Sequence, residues 1–251
     1  MRLGQNFLAD PNLLDAIVRE SETRPEDVVL EVGAGEGVLT ERLADVAGHV
    51  HSVEIDRGLG EALDEIAARE NVTLHWGDAM KVDLTSFDPA PTVMVANLPY
   101  SVATPLILRT EETLPDLRSW TVMVQREIAD RLRAAPGSRT YGSPTAILGQ
   151  SAHVSMLRPV SAAVFKPRPR VASAVLRIER TGPPADAATR ALIRGAFAHR
   201  RKSLARSLEI ARPGRLAAAR EALAAMGLPA DARAESLSPE EFGELSRRIG
   251  E

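Results

Sequence analysis

Two glycines and one glutamate stand at the ends of successive hydrophobic runs, where a nucleotide could bind. Gly33 and Gly35 follow the run at 28–32, and Glu54 ends the next run, 21 residues after Gly33. Glycines at such a turn let the backbone approach a ligand closely, and a carboxylate there can accept both ribose hydroxyls of an adenine nucleoside. These features do not distinguish NAD from S-adenosylmethionine. A tight strand-helix turn with a surface glutamate is the structural alternative.

Two further strand ends carry groups that can recognise adenine. Asp78 follows the run at 72–75, and an aspartate there can accept a hydrogen bond from the exocyclic amine of adenine. The run at 93–97 ends in Asn97-Leu98-Pro99-Tyr100. This tetrapeptide resembles the catalytic motif of S-adenosylmethionine-dependent methyltransferases that act on exocyclic amino groups of bases. A nicotinamide dehydrogenase would leave it unexplained, so S-adenosylmethionine is the predicted cofactor.

The chemistry of amine methylation fits this tetrapeptide. The lone pair of adenine N6 is delocalised into the ring, so attack on a methyl group needs a more tetrahedral nitrogen. The Asn97 side-chain carbonyl and the Leu98 main-chain carbonyl can each accept one N6 hydrogen, which aims the lone pair at the sulfonium methyl. Pro99 stiffens the turn, and Tyr100 offers a ring for stacking. No general base is required before attack, because the methylated nitrogen becomes acidic and can lose its proton afterwards.

The elements that must position these residues alternate between strand and helix. Strand patterns occur at 28–32, 50–54, 72–75, 93–97 and 119–124, with helical patterns at 38–46, 60–69, 105–113 and 126–133 between and after them. Asp10-Pro11 opens an earlier helix, and two strand patterns at 153–158 and 172–178 could form an antiparallel pair that closes the sheet. This order predicts a parallel α/β sheet. Helical patterns alone follow residues 181–184, so we predict domains at 1–181 and 182–251.

Composition excludes several classes of protein. The 251 residues are 44% hydrophobic and 26% charged, as in globular domains, and no apolar stretch approaches the ~18 residues that span a bilayer. The first eleven residues contain no apolar block of signal-peptide length, so we expect a cytoplasmic protein without a membrane partner. Cysteine is absent, and the five histidines lack metal-ligand spacing, so we expect no metal.

The net charge of −3 conceals a basic segment. Residues 158–215 contain 14 Lys and Arg against 3 Asp and Glu, whereas residues 1–157 contain 13 against 24. A basic segment in an otherwise acidic chain is typical of a protein that binds a polyanion such as nucleic acid. A solvated face is the alternative, because 28 of the 31 basic residues are arginine and a general arginine bias inflates the count.

Nine short motifs together resemble the ribosomal RNA adenine N6,N6-dimethyltransferase family, of the kind that acts near the 3′ end of small-subunit rRNA. In chain order they are Gln5-Asn6-Phe7-Leu8, Glu31-Val32-Gly33-Ala34-Gly35, Glu54-Ile55-Asp56, Asp78-Ala79, Asn97-Leu98-Pro99-Tyr100, Val124-Gln125-Arg126-Glu127, Tyr141-Gly142, the segment 164–171 and Arg200-Arg201-Lys202-Ser203-Leu204. The resemblance implies a seven-stranded Rossmann-like methyltransferase sheet, a small all-α C-terminal domain, and two successive methylations on each of two adjacent adenines in a hairpin.

The resemblance also implies roles for individual residues. The cofactor contacts carried over from the family, together with Gly35 of the glycine turn, are Asn6, Leu8, Gly33, Gly35, Glu54, Asp78 and Asn97. The target adenine is expected between Tyr100 and Phe165, with core packing as the alternative for Phe165. The residues expected to contact RNA are Lys166, Arg168, Arg170, Arg200, Arg201 and Lys202. Ile193, Phe197, Leu204 and Leu208 have helical spacing and are expected in the core.

The partner implied by the resemblance is small-subunit rRNA or an assembling small ribosomal subunit, bound by a monomer. Two departures from the family pattern concern RNA binding: relatives usually carry a short basic segment before the first motif, and they are often basic overall.

Erythromycin-resistance methylases, which share fold and cofactor, are the alternative on large-subunit rRNA, and the motif at 200–204 favours the small-subunit branch. A DNA adenine methyltransferase would need a target-recognition domain for which little chain remains. The non-enzymatic alternative is an RNA-binding assembly factor, against which Asn97 and Tyr100 argue.

Overall fold

The computed structural model describes residues 7–8 and 10–250, and these form two compact units. The first unit contains the residues up to Ala129 together with Val154–Arg180. The second unit contains Asp130–His153 and the residues from Thr181 onward. The sequence analysis also divides the chain at 181, but it leaves 130–153 in the first domain. This segment packs with the C-terminal helices instead, for example through Tyr141, whose ring lies 5.8 Å from that of Phe197.

A seven-stranded sheet organises the first unit, as predicted. Nine strands occur in the described residues: β1 (Phe7–Leu8), β2 (Val28–Val32), β3 (His49–Glu54), β4 (Val72–Trp76), β5 (Val93–Asn97), β6 (Ser119–Gln125), β7 (Ala152–Val160), β8 (Phe165–Lys166) and β9 (Ser173–Arg180). The order in the sheet is β4-β3-β2-β5-β6-β9-β7. Strands β2 to β6 pair in parallel, and β9 pairs antiparallel with β6. Strand order reverses between β2 and β5, so a crevice opens beyond their carboxyl ends.

Ten α-helices occur in the described residues. They are α1 (Pro11–Ser21), α2 (Val38–Ala44), α3 (Gly60–Ala67), α4 (Ala103–Thr113), α5 (Arg126–Leu132), α6 (Ser143–Leu148), α7 (Ala187–Ala198), α8 (Leu204–Ala211), α9 (Leu216–Ala225) and α10 (Pro239–Ile249). The predicted start of α1 is confirmed: Asp10 accepts hydrogen bonds from the backbone N–H groups of Asn12 and Leu13, and Pro11 is the first helical residue. The bounds of α2, α3, α4 and α5 agree with the predicted helical ranges within a few residues, whereas α6 was not predicted.

An ion pair fixes the amino ends of the central strands. Asp27, which precedes β2, accepts hydrogen bonds from both terminal nitrogens of Arg118, which precedes β6, and one from Thr92 Oγ1 at 2.9 Å, just before β5. Burial raises the pKa of Asp27, but its hydrogen bonds with Arg118, Arg24 and Thr92 outweigh burial and lower it. The three strands are therefore joined at their amino ends, at the edge of the sheet opposite the crevice.

The sequence prediction missed the pairing of β1 with β8. The two strands are antiparallel, with Leu8 opposite Phe165 and Phe7 opposite Lys166. A strand of two residues has no hydrophobic period, so no sequence pattern indicates it. This pairing fixes which of the two residues of β1, Phe7 and Leu8, faces the crevice.

Candidate active site

A glycine turn begins directly after β2 and joins the neighbouring strand. The N–H of Gly33 donates to Val53 O at 2.8 Å, and the N–H of Gly35 donates to Glu54 Oε2 at 2.9 Å. Gly33 has φ +85° and Gly35 has φ +58°, a region that side chains disfavour. A Cβ on Gly35 would also lie 3.2 Å from the ring of Phe7. The turn therefore requires glycine, and it leaves an open cradle beside Glu54.

Glu54 is held by three backbone N–H groups. Oε1 accepts from Ile55 at 2.9 Å and from Asp56 at 2.8 Å, while Oε2 accepts from Gly35. The residue is only 4% exposed, and its exposed part lines the crevice. Because the donors belong to the strand end and the glycine turn, the carboxylate is fixed before any ligand binds. A fixed acceptor at this place suits the hydroxyls of a ribose.

A second glutamate, Glu31, lies buried beneath the glycine turn. Its Oε2 accepts hydrogen bonds from Thr40 Oγ1 at 2.5 Å and from Ser52 Oγ at 2.7 Å. Burial raises the pKa of Glu31 to about 7, with a smaller contribution from the charge of Glu54, while the two hydroxyl hydrogen bonds oppose the rise. Sequence analysis quoted Glu31 only as part of a motif. A lone glutamate in a buried strand is the signal that could have identified it.

Asp78 sits at the start of a tight turn after β4. Its Oδ1 accepts from Met80 N at 2.9 Å, and its Oδ2 lies 3.6 Å from Lys81 Nζ. The preceding Gly77 donates its N–H to Glu54 O at 2.8 Å. The turn that carries Asp78 and the end of the strand that carries Glu54 are therefore connected through one backbone hydrogen bond.

The tetrapeptide Asn97-Leu98-Pro99-Tyr100 closes the far side of the crevice at the end of β5. The N–H of Leu98 donates to Met123 O at 3.0 Å, and its side chain is 1% exposed. The Tyr100 hydroxyl lies 3.2 Å from Ser173 Oγ on β9. The tetrapeptide is thus anchored to β6 and to β9, the next two strands on the same side of β5, so its carbonyl groups are fixed relative to the sheet.

These strand ends enclose one cavity of about 420 Å³, which lies in the range of small-molecule sites. Its lining includes the predicted residues Gly33, Gly35, Glu54, Asp78, Asn97, Leu98, Pro99 and Tyr100, together with Phe7 and Ile55. Ile55 is 52% exposed, an unusual exposure for a large apolar side chain beside a polar cavity. Phe7 and Ile55 were not among the predicted site residues, although they lie within the motifs at 5–8 and 54–56.

Two predicted contacts are not at this cavity. Leu8 is 6% exposed and Phe165 is 3% exposed, and both belong to the hydrophobic core of the first unit. They face each other across the pair β1 and β8, and this register favours the core alternative for Phe165 over stacking on a base. Leu8 borders a second cavity of about 40 Å³ behind the glycine turn. Asn6, the remaining predicted cofactor contact, lies outside the described residues.

The predicted RNA-contacting residues are exposed in both units. In the first unit, Lys166 is the last residue of β8, and Arg168 and Arg170 lie on the segment that connects β8 to β9. In the second unit, Arg200, Arg201 and Lys202 are exposed in the turn between α7 and α8.

The helical spacing from Ile193 to Leu208 favours one helix that runs through residues 200–204, and this prediction is wrong for residues 200–203, because α7 ends at Ala198 and α8 begins at Leu204. Lys202 N donates to His199 O at 2.8 Å in this turn, and Arg200 Nη2 donates to Arg139 O at 3.4 Å. The core stripe Ile193, Phe197, Leu204 and Leu208 is confirmed as buried.

Within residues 7–8 and 10–250, no group of three or more histidine, aspartate or glutamate side chains is arranged to hold a metal ion. No helix in the same part of the chain has the length and apolar character needed to cross a membrane.

Comparison with known proteins gives extensive matches. A model of the family described as ribosomal RNA adenine dimethylase matches residues 1–250. The chain is 44% identical over 252 residues to a ribosomal RNA small subunit methyltransferase A from Rubrobacter xylanophilus, with 99% of this chain and 94% of that protein covered. It is 43% identical over 259 residues to the protein of the same name from Streptomyces avermitilis, with 98% and 87% covered.

Two solved structures are also similar. A dimethyladenosine transferase from Plasmodium falciparum matches with a TM-score of 0.78 at 23% identity, covering 95% of each chain. The 23S rRNA methyltransferase ErmE matches with a TM-score of 0.72 at 26% identity, covering 98% of this chain and all of that one. At 23% identity the first match supports the fold only.

Proposed function

The chain belongs to the ribosomal RNA adenine dimethylase family, and on that premise we propose that it methylates N6 of two adjacent adenines in a hairpin near the 3′ end of small-subunit rRNA. It is an S-adenosylmethionine-dependent methyltransferase. The product of four methyl transfers is a pair of N6,N6-dimethyladenosines. The observation that carries the proposal is the position of Asn97-Leu98-Pro99-Tyr100 on the wall of the cavity that Glu54 and Asp78 also line.

The cavity fits S-adenosylmethionine at both ends of its adenosine. Glu54 is fixed by backbone donors and would accept the ribose hydroxyls, and the glycine cradle of Gly33 and Gly35 leaves room that a Cβ would fill. Asp78 would accept a hydrogen bond from the exocyclic amine of adenine. The cofactor supplies a sulfonium methyl group, and these residues hold it near the tetrapeptide.

Asn97 and Leu98 would orient the target amine. Each offers a carbonyl oxygen to one N6 hydrogen, so the lone pair is directed toward the methyl group. Anchoring of Leu98 N to Met123 O and of Tyr100 to Ser173 keeps these acceptors in place during the transfer. The N6 proton is lost after the methyl transfer, when the nitrogen has become acidic.

Tyr100 is the proposed stacking partner of the target adenine. Stacking of a base on an aromatic ring contributes about 1–3 kcal/mol, and the target nucleotide must leave its own stack to reach the cavity. Phe165 was expected on the other side of the base, but its place in the core leaves that stacking role unsupported.

The exposed basic residues of both units are proposed to bind rRNA phosphates. Lys166, Arg168 and Arg170 belong to the first unit, and Arg200, Arg201 and Lys202 belong to the second. Binding by both units would orient the hairpin without reading its sequence. We propose that the bound form is a monomer on small-subunit rRNA or on an assembling small subunit.

Methylation of large-subunit rRNA is the second candidate, because the structure also resembles the 23S rRNA methyltransferase ErmE. Two relatives that are more than 40% identical to nearly the full chain are named as small subunit methyltransferases, and this similarity favours the first candidate.

Mass spectrometry of rRNA from cells with and without the gene distinguishes the two candidates. Loss of dimethyladenosine from a small-subunit fragment is expected, whereas a change confined to the large subunit would assign the chain to the second activity.

A further inference from the structure

Arg109 connects the helix that follows the catalytic tetrapeptide to the turn that carries Asp78. It lies on α4, and its guanidinium donates two hydrogen bonds to backbone carbonyls: Nη1 to Ala79 O, and Nη2 to Val82 O at 2.7 Å. The two acceptors are 30 and 27 residues away along the chain. One planar side chain therefore spans the turn from its first residue after Asp78 to its last.

The rest of this turn is bonded inward, toward Asp78. The carbonyl of Asp78 accepts from Lys81 N at 2.7 Å and from Val82 N at 2.9 Å, and its Oδ1 accepts from Met80 N. The carbonyls of Ala79 and Val82 accept hydrogen bonds from Arg109 instead. Ala79 is 8% exposed, and a buried carbonyl without a partner is costly. Without Arg109, the turn would have to rearrange to reach other donors.

We propose that Arg109 is a positioning residue that sets the orientation of the Asp78 carboxylate and thereby the selectivity for the adenine amine. Arg109 does not line the 420 Å³ cavity, so it acts through the turn and not on the ligand. The inference rests on the role proposed for Asp78. It also connects adenine recognition to α4, which begins three residues after Tyr100.

Selectivity for the amine is measurable with two ligands that differ only there. S-adenosylhomocysteine carries the adenine amine, and its purine analogue lacks the 6-amino group but keeps the ribose and the homocysteine. Isothermal titration of both ligands to the full chain gives a ratio of dissociation constants. A hydrogen bond to a charged acceptor predicts that the wild-type protein prefers S-adenosylhomocysteine by about tenfold or more. Replacement of Asp78 by alanine is expected to bring this ratio close to one.

Arg109→Gln is expected to reduce the ratio at least about threefold, because the shorter, neutral side chain loses the charge and the paired donors of the guanidinium and misplaces the Asp78 carboxylate. Arg109→Lys keeps the charge and one donor, so it is expected to recover part of the selectivity. A merely structural role would weaken both ligands equally and leave the ratio unchanged. If Arg109→Gln does not fold, the ratio in Arg109→Lys decides, with an unchanged value counting against the proposal.

Arg69 provides the matched control in the same unit. Its guanidinium also bridges two distant groups, donating to Asp45 Oδ1 at 2.7 Å and to Glu41 O at 3.5 Å, but it does not line the cavity. Arg69→Gln is expected to keep the wild-type ratio. A wild-type ratio in Arg109→Gln, with a reduced ratio in the Asp78 variant, overturns the role of Arg109 and leaves Asp78 in place. A wild-type ratio in the Asp78 variant overturns the proposed adenine contact itself.

Discussion

The buried carboxyl group of Glu31 should make the stability of the first unit depend on pH. Burial raises its pKa from 4.5 to about 7. The unfolded chain releases this proton near pH 4.5, whereas the folded protein keeps it until about pH 7. The stabilising contribution of the protonated group is therefore present below pH 4.5 and is lost as the pH rises to about 7. At 1.36 kcal/mol per pKa unit, the loss is about 3 kcal/mol.

Replacement of Glu31 by glutamine removes the titration while keeping a side-chain oxygen that can accept from Thr40 and Ser52. The free energy of unfolding is measured by urea denaturation between pH 4.5 and pH 8. Tryptophan fluorescence reports the first unit, because the chain's two tryptophans, Trp76 and Trp120, both belong to it. Other titrating groups cancel when the wild-type value is subtracted from that of the variant. This difference should shift in favour of the glutamine variant by about 3 kcal/mol as the pH rises.

Glu61 is the matched control, since it is an exposed glutamate on α3 in the same unit. Glu61→Gln should give a difference that changes with pH by no more than about 0.5 kcal/mol. A Glu31→Gln difference that is equally flat across this range would refute the interpretation, because it would mean that burial does not hold the proton on Glu31.

Three further outcomes are expected. Asn97→Ala should slow single-turnover methyl transfer by about 100-fold or more with an unchanged fold, and near-normal transfer would exclude the role in amine orientation. Replacing Arg200, Arg201 and Lys202 together by glutamine should make the dependence of log affinity on log salt shallower by about two to three units on the natural particle. The affinity for the cofactor should not change. An unchanged slope would show that these three residues form a solvated face and do not contact phosphates. Burial, and to a lesser degree two neighbouring histidines, lower the pKa of His75 to about 4, so the free energy of unfolding decreases as the pH falls from 6.5 toward 4. In urea unfolding, His75→Phe should reduce the decrease between pH 7 and pH 5 by about 1 kcal/mol, after allowance for partial exposure. An unreduced decrease would show that His75 is not its source.

The central sheet could be predicted from sequence because its strands are nearly continuous apolar runs that end in recognisable turns. β2 illustrates this, since all five of its residues are buried and Gly33 follows at once. Helix α6 was not predicted, and the segment around it was predicted to belong to the first domain, because no local pattern shows which partner a buried helix face packs against. Residues 130–153 therefore joined the second unit without any local signal.

The cavity could be predicted because its residues stand at strand ends, and parallel strands bring their carboxyl ends to one edge. The contacts of Phe165 could not be predicted in this way. Its neighbours in the sequence are polar, but its place in the core is set by pairing with Leu8 in two strands that are too short to show a hydrophobic period. Arg109 shows a second limit. Its partners are backbone carbonyls about 30 residues away, and a carbonyl leaves no trace in the residue types.

The most direct test of the proposed function uses the purified chain with S-adenosylmethionine and ribosomal subunits from cells that lack the gene. Small and large subunits are incubated separately, and the rRNA is digested and analysed by mass spectrometry. N6,N6-dimethyladenosine at two adjacent positions of one small-subunit fragment is the predicted product, and Asn97→Ala should form it at least about 100-fold more slowly. Methylation confined to the large subunit, or equal rates for the wild-type protein and the Asn97 variant, would contradict the account.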